Sequence, residues 1–148
     1  MDSLGFGVVE VIIIMPAIKA QSSARVGDDD YNGVITNTIL SAIRGLFTGT
    51  SASAFRPTHI ALGSGTSIAA PDDTALDNET ARFAITQLTQ AGGVITALVN
   101  LPLTASDVEA TEMGIFSGDI LISRANIDLT KNSNSILNII WTLTVEEA

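Results

Sequence analysis

Few residues in this chain are equipped for chemistry: a lone histidine, His59, and a scatter of carboxylates, of which Glu112 stands apart. A serine hydrolase needs a base beside its nucleophile and a third group to orient that base. His59 sits in the short stretch Thr58-His59-Ile60 and no GxSxG elbow occurs, so a structural or surface histidine is the expectation. Polymer hydrolysis needs two facing carboxyl groups, and Glu112 with Asp107 or Glu109 would have to supply them. Glu112 also has a structural reading. It lies in the apolar run Ala110–Phe116, Arg124 follows in the next run, and Arg82 is preceded by Glu79. A carboxylate so placed is tolerable when paired. Glu112 is therefore expected in an ion pair with Arg124 or Arg82.

Gly63-Ser64-Gly65-Thr66 has the look of a phosphate loop without its parts. No lysine lies between Lys19 and Lys131, and neither a third glycine nor a helix follows, as the P-loop and dinucleotide fingerprints require. The segment reads as a turn whose glycines take positive φ. Asp28-Asp29-Asp30 and the group Asp72, Asp73, Asp77 and Glu79 lack the spacing of a calcium loop. They read as solvated turns, with Asp73 and Thr74 capping a short helical turn. Whether the second group takes an ion stays open. There is no cysteine, hence no disulfide, thiolate metal site or cysteine nucleophile. The expectation is a non-enzymatic protein with no cofactor.

Composition points the same way. The chain has 148 residues, a natural length for one domain. It is 46% hydrophobic and only 16% charged, against about a quarter charged in typical soluble domains. Apolar surface saved for neighbouring subunits is the preferred explanation. The net charge is −9, and the seven cations are scattered, so a basic stripe for a phosphate backbone is lacking and direct nucleic-acid binding is not expected. A glycan-binding module would want exposed aromatics, and Trp141, Tyr31 and five Phe leave few to spare. Val8–Ile18 is the most apolar run, interrupted by Glu10 and Pro16, and falls well short of the roughly 20 residues that span a bilayer. Asp2 stands where a signal peptide would be basic. The run is expected to be a strand or an extended arm.

The elements that position these residues can be read from periodicity. Residues 1–31 form an N-terminal arm, with Val8, Val9, Val11, Ile12, Ile13 and Ile14 as its interaction surface, and 32–148 form one domain. A helix is predicted over Asn37–Phe47, whose Ile39, Leu40, Ile43, Leu46 and Phe47 share a face, with Thr36 or Asn37 as cap and Gly49 at its end. Strands are predicted over Thr58–Gly63, Ala81–Thr89, Val94–Leu103, Asp107–Phe116, Ile120–Ile127 and Ser135–Val145, with a hairpin turn at Gly92-Gly93. In the last strand Leu137, Ile139, Trp141, Leu143 and Val145 alternate toward the core. The fold class is mainly β: an antiparallel sandwich or jelly-roll-like domain with one short N-terminal amphipathic helix and an extended arm.

The order of these pieces resembles a family of tailed-bacteriophage virion proteins. The resemblance rests on Asn32-Gly-Val-Ile-Thr-Asn-Thr, Thr58–Thr66 (THIALGSGT), Pro71–Glu79 (PDDTALDNE), Arg82, Glu112-Met-Gly-Ile-Phe and Leu121-Ile-Ser-Arg124, over roughly Asn32 to Val145. The family pattern is "ALGTGT…P…DTAL…E…R…E(I)G(L)F…L…R", and the apolar arm departs from it. Gly63, Gly65, Arg82, Glu112, Gly114 and Arg124 become the motif's structural residues. The resemblance implies a β-sandwich assembled as a symmetric homo-oligomer, a trimer being favoured, together with other capsid or tail proteins. It also implies synthesis in the host cytoplasm and residence on the virion. Since the chain stops at Ala148 after its last strand, capsid decoration is preferred over a tail, collar, baseplate or fibre-attachment role. The arm would add a strand to a neighbour or pack Val8–Ile14 on it, and removing residues 1–20 is expected to leave a folded domain that no longer assembles.

Overall fold

Strict alternation in one C-terminal stretch organises half of the molecule. Ile139, Trp141 and Leu143 are buried, while Asn138, Ile140, Thr142 and Thr144 on the other face are not, the period of a half-buried strand. The structure, a computed structural model, describes residues 18–26, 29–49, 56–101, 108–131 and 137–147. Its elements are β1 (Ile18–Val26), β2 (Asp29–Ile35), α1 (Asn37–Thr48), β3 (His59–Gly63), β4 (Glu79–Ala84), β5 (Gln87–Ala91), β6 (Val94–Leu101), β7 (Val108–Ser117), β8 (Ile120–Lys131) and β9 (Leu137–Glu147). The protein is mainly β: a nine-stranded sheet in the order β4-β3-β7-β8-β2-β1-β9-β6-β5, antiparallel throughout.

The sheet curls over on itself as a sandwich does. Residues of both halves, Ile60, Leu62, Met113 and Ile115 on one side and Ala24, Val99, Ile139 and Trp141 on the other, share one buried cluster. Strand β2 makes the corner. Its first residues pair with β1 (Ser22↔Gly33), and Val34 and Ile35 then pair with Arg124 and Ser123 of β8. The second corner lies at Ile85-Thr86. The Ile85 amide donates to Thr58 O and the Thr86 amide to Leu98 O, so consecutive peptides belong to different halves. This is why the single strand expected over Ala81–Thr89 is in fact two strands at opposite ends of the order. Helix α1 runs one residue past its predicted end. Thr36 caps it, its Oγ1 accepting from the Ile39 amide at 3.3 Å, and Gly49 closes it at φ 75°.

The N-terminal division requires correction. The boundary at 31/32 falls inside β2, and β1 lies between β2 and β9, so residues 18–26 and 29–31 belong to the sheet rather than to an arm. In β1, Ser22, Ala24 and Val26 are buried while Ser23 and Arg25 are exposed. That alternation hides behind a serine, whose hydroxyl accepts the Trp141 indole N–H and so can be buried without loss. A cut after residue 20 would remove the first three residues of β1. The arm residues Val8, Val9, Val11, Ile12, Ile13 and Ile14 lie outside the described residues.

Candidate functional site

The long loop between β3 and β4 lies against the outer face of β7 and β8, and the site is built beneath it. Period-2 alternation puts Glu112, Gly114 and Phe116 of β7 on that face, with Met113 and Ile115 turned to the core. On β8, Ile122 is the extra residue of a bulge, since Ile115 pairs with Ser123 and Phe116 with Leu121. The bulge brings Leu121 and Arg124 to the same outer face. Leu76 of the loop packs there with Ala61, Phe116 and Leu121 as a small second core.

Glu112 and Arg124 are both fully buried. The Arg124 Nε donates to Glu112 Oε1 at 3.1 Å, and Nη2 lies 3.0 Å from the same oxygen. Three loop amides complete the carboxylate's shell: Gly65 N at 2.7 Å and Asn78 N at 2.8 Å to Oε2, and Asp77 N at 2.8 Å to Oε1. The rest of the guanidinium turns outward into the loop. Its Nη1 donates to Asp73 Oδ2 at 3.0 Å, and Nη2 donates to Ser67 O at 3.1 Å and Asp77 Oδ2 at 3.3 Å. Asn126, two residues on, accepts from the Ala69 amide and donates to Ser67 O. Thr111 donates to Gly65 O at 2.7 Å. A loop without regular structure is thereby stitched at both ends and across its middle, satisfying backbone groups that a strand would otherwise pair.

The electrostatics follow from these bonds. The Ser67 hydroxyl, then the Ser67 amide, then the charge of Arg124 hold the Asp77 carboxyl below its ordinary value. Arg82 does not join the lock. It donates twice to Glu79, at 2.9 and 2.8 Å, and once to Gly118 O, and it lies 4.1 Å from the centre of the Phe116 ring. The Glu79 partnership pushes its pKa above the already high arginine value. Of the two partners open to Glu112 in the sequence, the structure brings in Arg124 and leaves Arg82 with Glu79.

The glycines are needed here, for a reason other than the one expected. Positive φ occurs at Gly49, Gly92 and Gly118, not at Gly63 or Gly65. A Cβ on Gly63 would lie 2.5 Å from Asn78 O and 2.6 Å from Glu112 Oε2, and one on Gly65 would meet the Glu112 carboxylate and Asp77. A Cβ on Gly114 would lie 2.9 Å from both Leu76 and Leu121. These positions are glycine because another part of the molecule already occupies the space of a side chain.

The remaining candidates do not converge. His59 Nδ1 lies 2.9 Å from Thr58 Oγ1. Glu109 is exposed while Glu112 is sealed, so the two share no open groove, and Asp107 lies outside the described residues. Asp73 closes a turn by accepting from the Ala70 amide at 2.8 Å, with no helical turn after Thr74. Among the described residues no three His, Cys, Asp or Glu side chains could hold a metal ion. Likewise no described helix is long and apolar enough to cross a membrane. Ser67, Leu76, Thr111 and Asn126 are the members that sequence reasoning missed. Asn126 alone carries a signal, its period-2 spacing from Arg124 on the same strand. No protein family, curated protein or solved structure matches the chain.

Proposed function

We propose that this chain is a non-enzymatic structural protein of a tailed-bacteriophage virion, made in the host cytoplasm and assembled on the particle as a homo-oligomer, with capsid decoration as its place. One observation carries the reading. Of the residues that the virion-protein pattern singles out, Glu112 and Arg124 hold the loop by hydrogen bonds while Gly63, Gly65 and Gly114 leave the space it needs, and the loop carries Ile68 with 86% of its surface exposed. A buried charge pair is costly to form and is best repaid when further hydrogen bonds satisfy both groups, as the loop amides do for Glu112 and Asp73, Asp77 and Ser67 do for Arg124. A rigid apolar tip lowers the ordering cost of docking on a partner. These features support binding without chemistry, through a preformed surface.

A tail, collar or baseplate place is the second reading, and one experiment addresses both. Particles purified from the strain that carries the gene are examined by quantitative mass spectrometry for this chain. Copy number comparable with the major shell protein is expected. A copy number near a small multiple of the tail's symmetry would move the protein to the tail, and its absence from particles would overturn the proposal. Deleting residues 1–17, which stops short of β1, is expected to leave the sheet folded and remove the protein from particles.

A further inference from the structure

Charge is distributed very unevenly over the sheet. The chain carries a net −9, yet residues 83–106 and 132–145 contain no Asp, Glu, Lys or Arg. The topology brings the strands of these two segments together, since β5 and β6 lie in the first, most of β9 lies in the second, and the three are neighbours at one end of the sheet. Their outer face is ordered as well as uncharged. Thr89 pairs with Thr96, Thr96 with Thr142, Thr142 with Ser23 and Ser23 with Asn32, a row of short polar side chains across five strands. At about 4.8 Å per strand the row runs about 19 Å. The parallel row continues Gln87, Leu98 and Ile140 and meets charge only at Arg25 and Asp30, which neutralise each other at 2.9 Å.

The other end of the sheet is the opposite case. Asp73, Asp77, Glu79, Glu109, Asp119 and Asp128 all belong to β4, β7, β8 and the turns and loop beside them. The edge strands differ likewise. β4 carries the Glu79–Arg82 ion pair and a register shift at Leu62/Gly63, two devices that discourage edge pairing. β5 (QLTQA) has no charge and no proline, and among the described residues no strand pairs with its outer edge.

We infer that the uncharged outer face of β5, β6 and β9, with the β5 edge beside it, is the surface on which a second copy of this chain docks. Two copies of a strongly acidic protein repel each other, so they meet most cheaply where neither carries charge, and interface cores are depleted in charge for the same reason. The row of Thr89, Thr96 and Thr142, with Leu98 and Ile140 in the row beside it, gives a largely β-branched surface of low side-chain entropy. This inference rests on the self-assembly reading above and places its contact.

The test is the solution mass of the full-length protein, measured by light scattering over a concentration series. The wild type is expected to be a multimer, Thr96→Glu to fall to one-chain mass, and Thr96→Val to keep the multimer. Thr130→Glu, exposed on β8 at the acidic end, is expected to keep it too. Thr89→Lys on the exposed edge strand is a second charged probe should Thr96→Glu fold poorly, with far-UV circular dichroism reporting the fold. A multimer that survives Thr96→Glu and Thr89→Lys overturns the inference and leaves self-assembly standing. A wild type that is monomeric at every concentration overturns both.

Discussion

Over Glu112–Phe116 and Leu121–Ala125, strands β7 and β8 are buried on both faces, and the two faces are held by different physics. Inward, Met113, Ile115, Ala125 and Ile127 join the main core around Trp141. Outward, Glu112 and Arg124 lie under the loop with every bond directed at a named partner. An apolar core needs side chains of about the right size and shape, and substitutions there lose energy in proportion to what they remove. A polar lock has no such gradation. Removing one member leaves another buried, charged and unpartnered, so the loss is large and local. The outer face is therefore the part of the fold that a single substitution breaks.

Arg124→Met tests this with the largest expected effect. It leaves Glu112 sealed without a countercharge and strips Asp73 and Asp77 of theirs. The expected loss is about 3–5 kcal/mol in urea unfolding, a sizeable share of the roughly 5–15 kcal/mol that holds a domain together. Hydrogen exchange should locate it, with the Gly65, Asp77 and Asn78 amides exchanging at a lower free energy than the main core. A loss under about 1 kcal/mol would mean that the pair behaves like a surface salt bridge and the lock is not what fixes the loop.

Trp141→Phe is the matching change on the inner face. It removes part of the largest fully buried side chain and the indole donor to Ser22. The expected loss is about 1–3 kcal/mol from contact area and one hydrogen bond. Here the three loop amides should lose protection only in step with global stability. If they open ahead of it, the two faces are coupled and the contrast fails.

The same contrast explains what was legible in the sequence. Strand β9 was readable because Ile139, Trp141 and Leu143 repeat at period 2 against polar neighbours, a signal that needs no knowledge of the partner strand. Helix α1 was readable from its apolar face and its caps. The loop was not, because its order comes from amides donating to Glu112 and from loop oxygens accepting from Arg124 and Asn126, 34 to 59 residues away in the chain, and such bonds leave no period. What remained visible was the ion-pair candidate and the glycines, and for the glycines the physical reason was different: crowding in place of φ. Strand β1 was hidden because a buried serine looks polar until its Trp141 partner is known. The break at Ile85-Thr86 left only a slip in the alternation, from Phe83 and Ile85 to Leu88, and the change of hydrogen-bond partners behind it leaves no mark in the sequence.

The smallest effect is expected next door to the largest. Ser123 precedes Arg124 on β8 and, by strand alternation, faces the other way, opposite Ile35 and Ile115. It is fully buried, and among the described residues its hydroxyl has no hydrogen-bond partner. Gly33 leaves it room, since a Cβ there would lie 2.7 Å from the Ser123 Oγ. An unpaired buried hydroxyl costs free energy, whereas an apolar group of the same shape does not. Ser123→Ala should therefore unfold at the same denaturant concentration as the wild type or higher, a change between zero and about 1 kcal/mol in the stabilising direction. A loss of more than about 1 kcal/mol would show that the hydroxyl is partnered in solution. The inner face would then depend on directed bonds as the outer one does, and size and shape would no longer account for its tolerance.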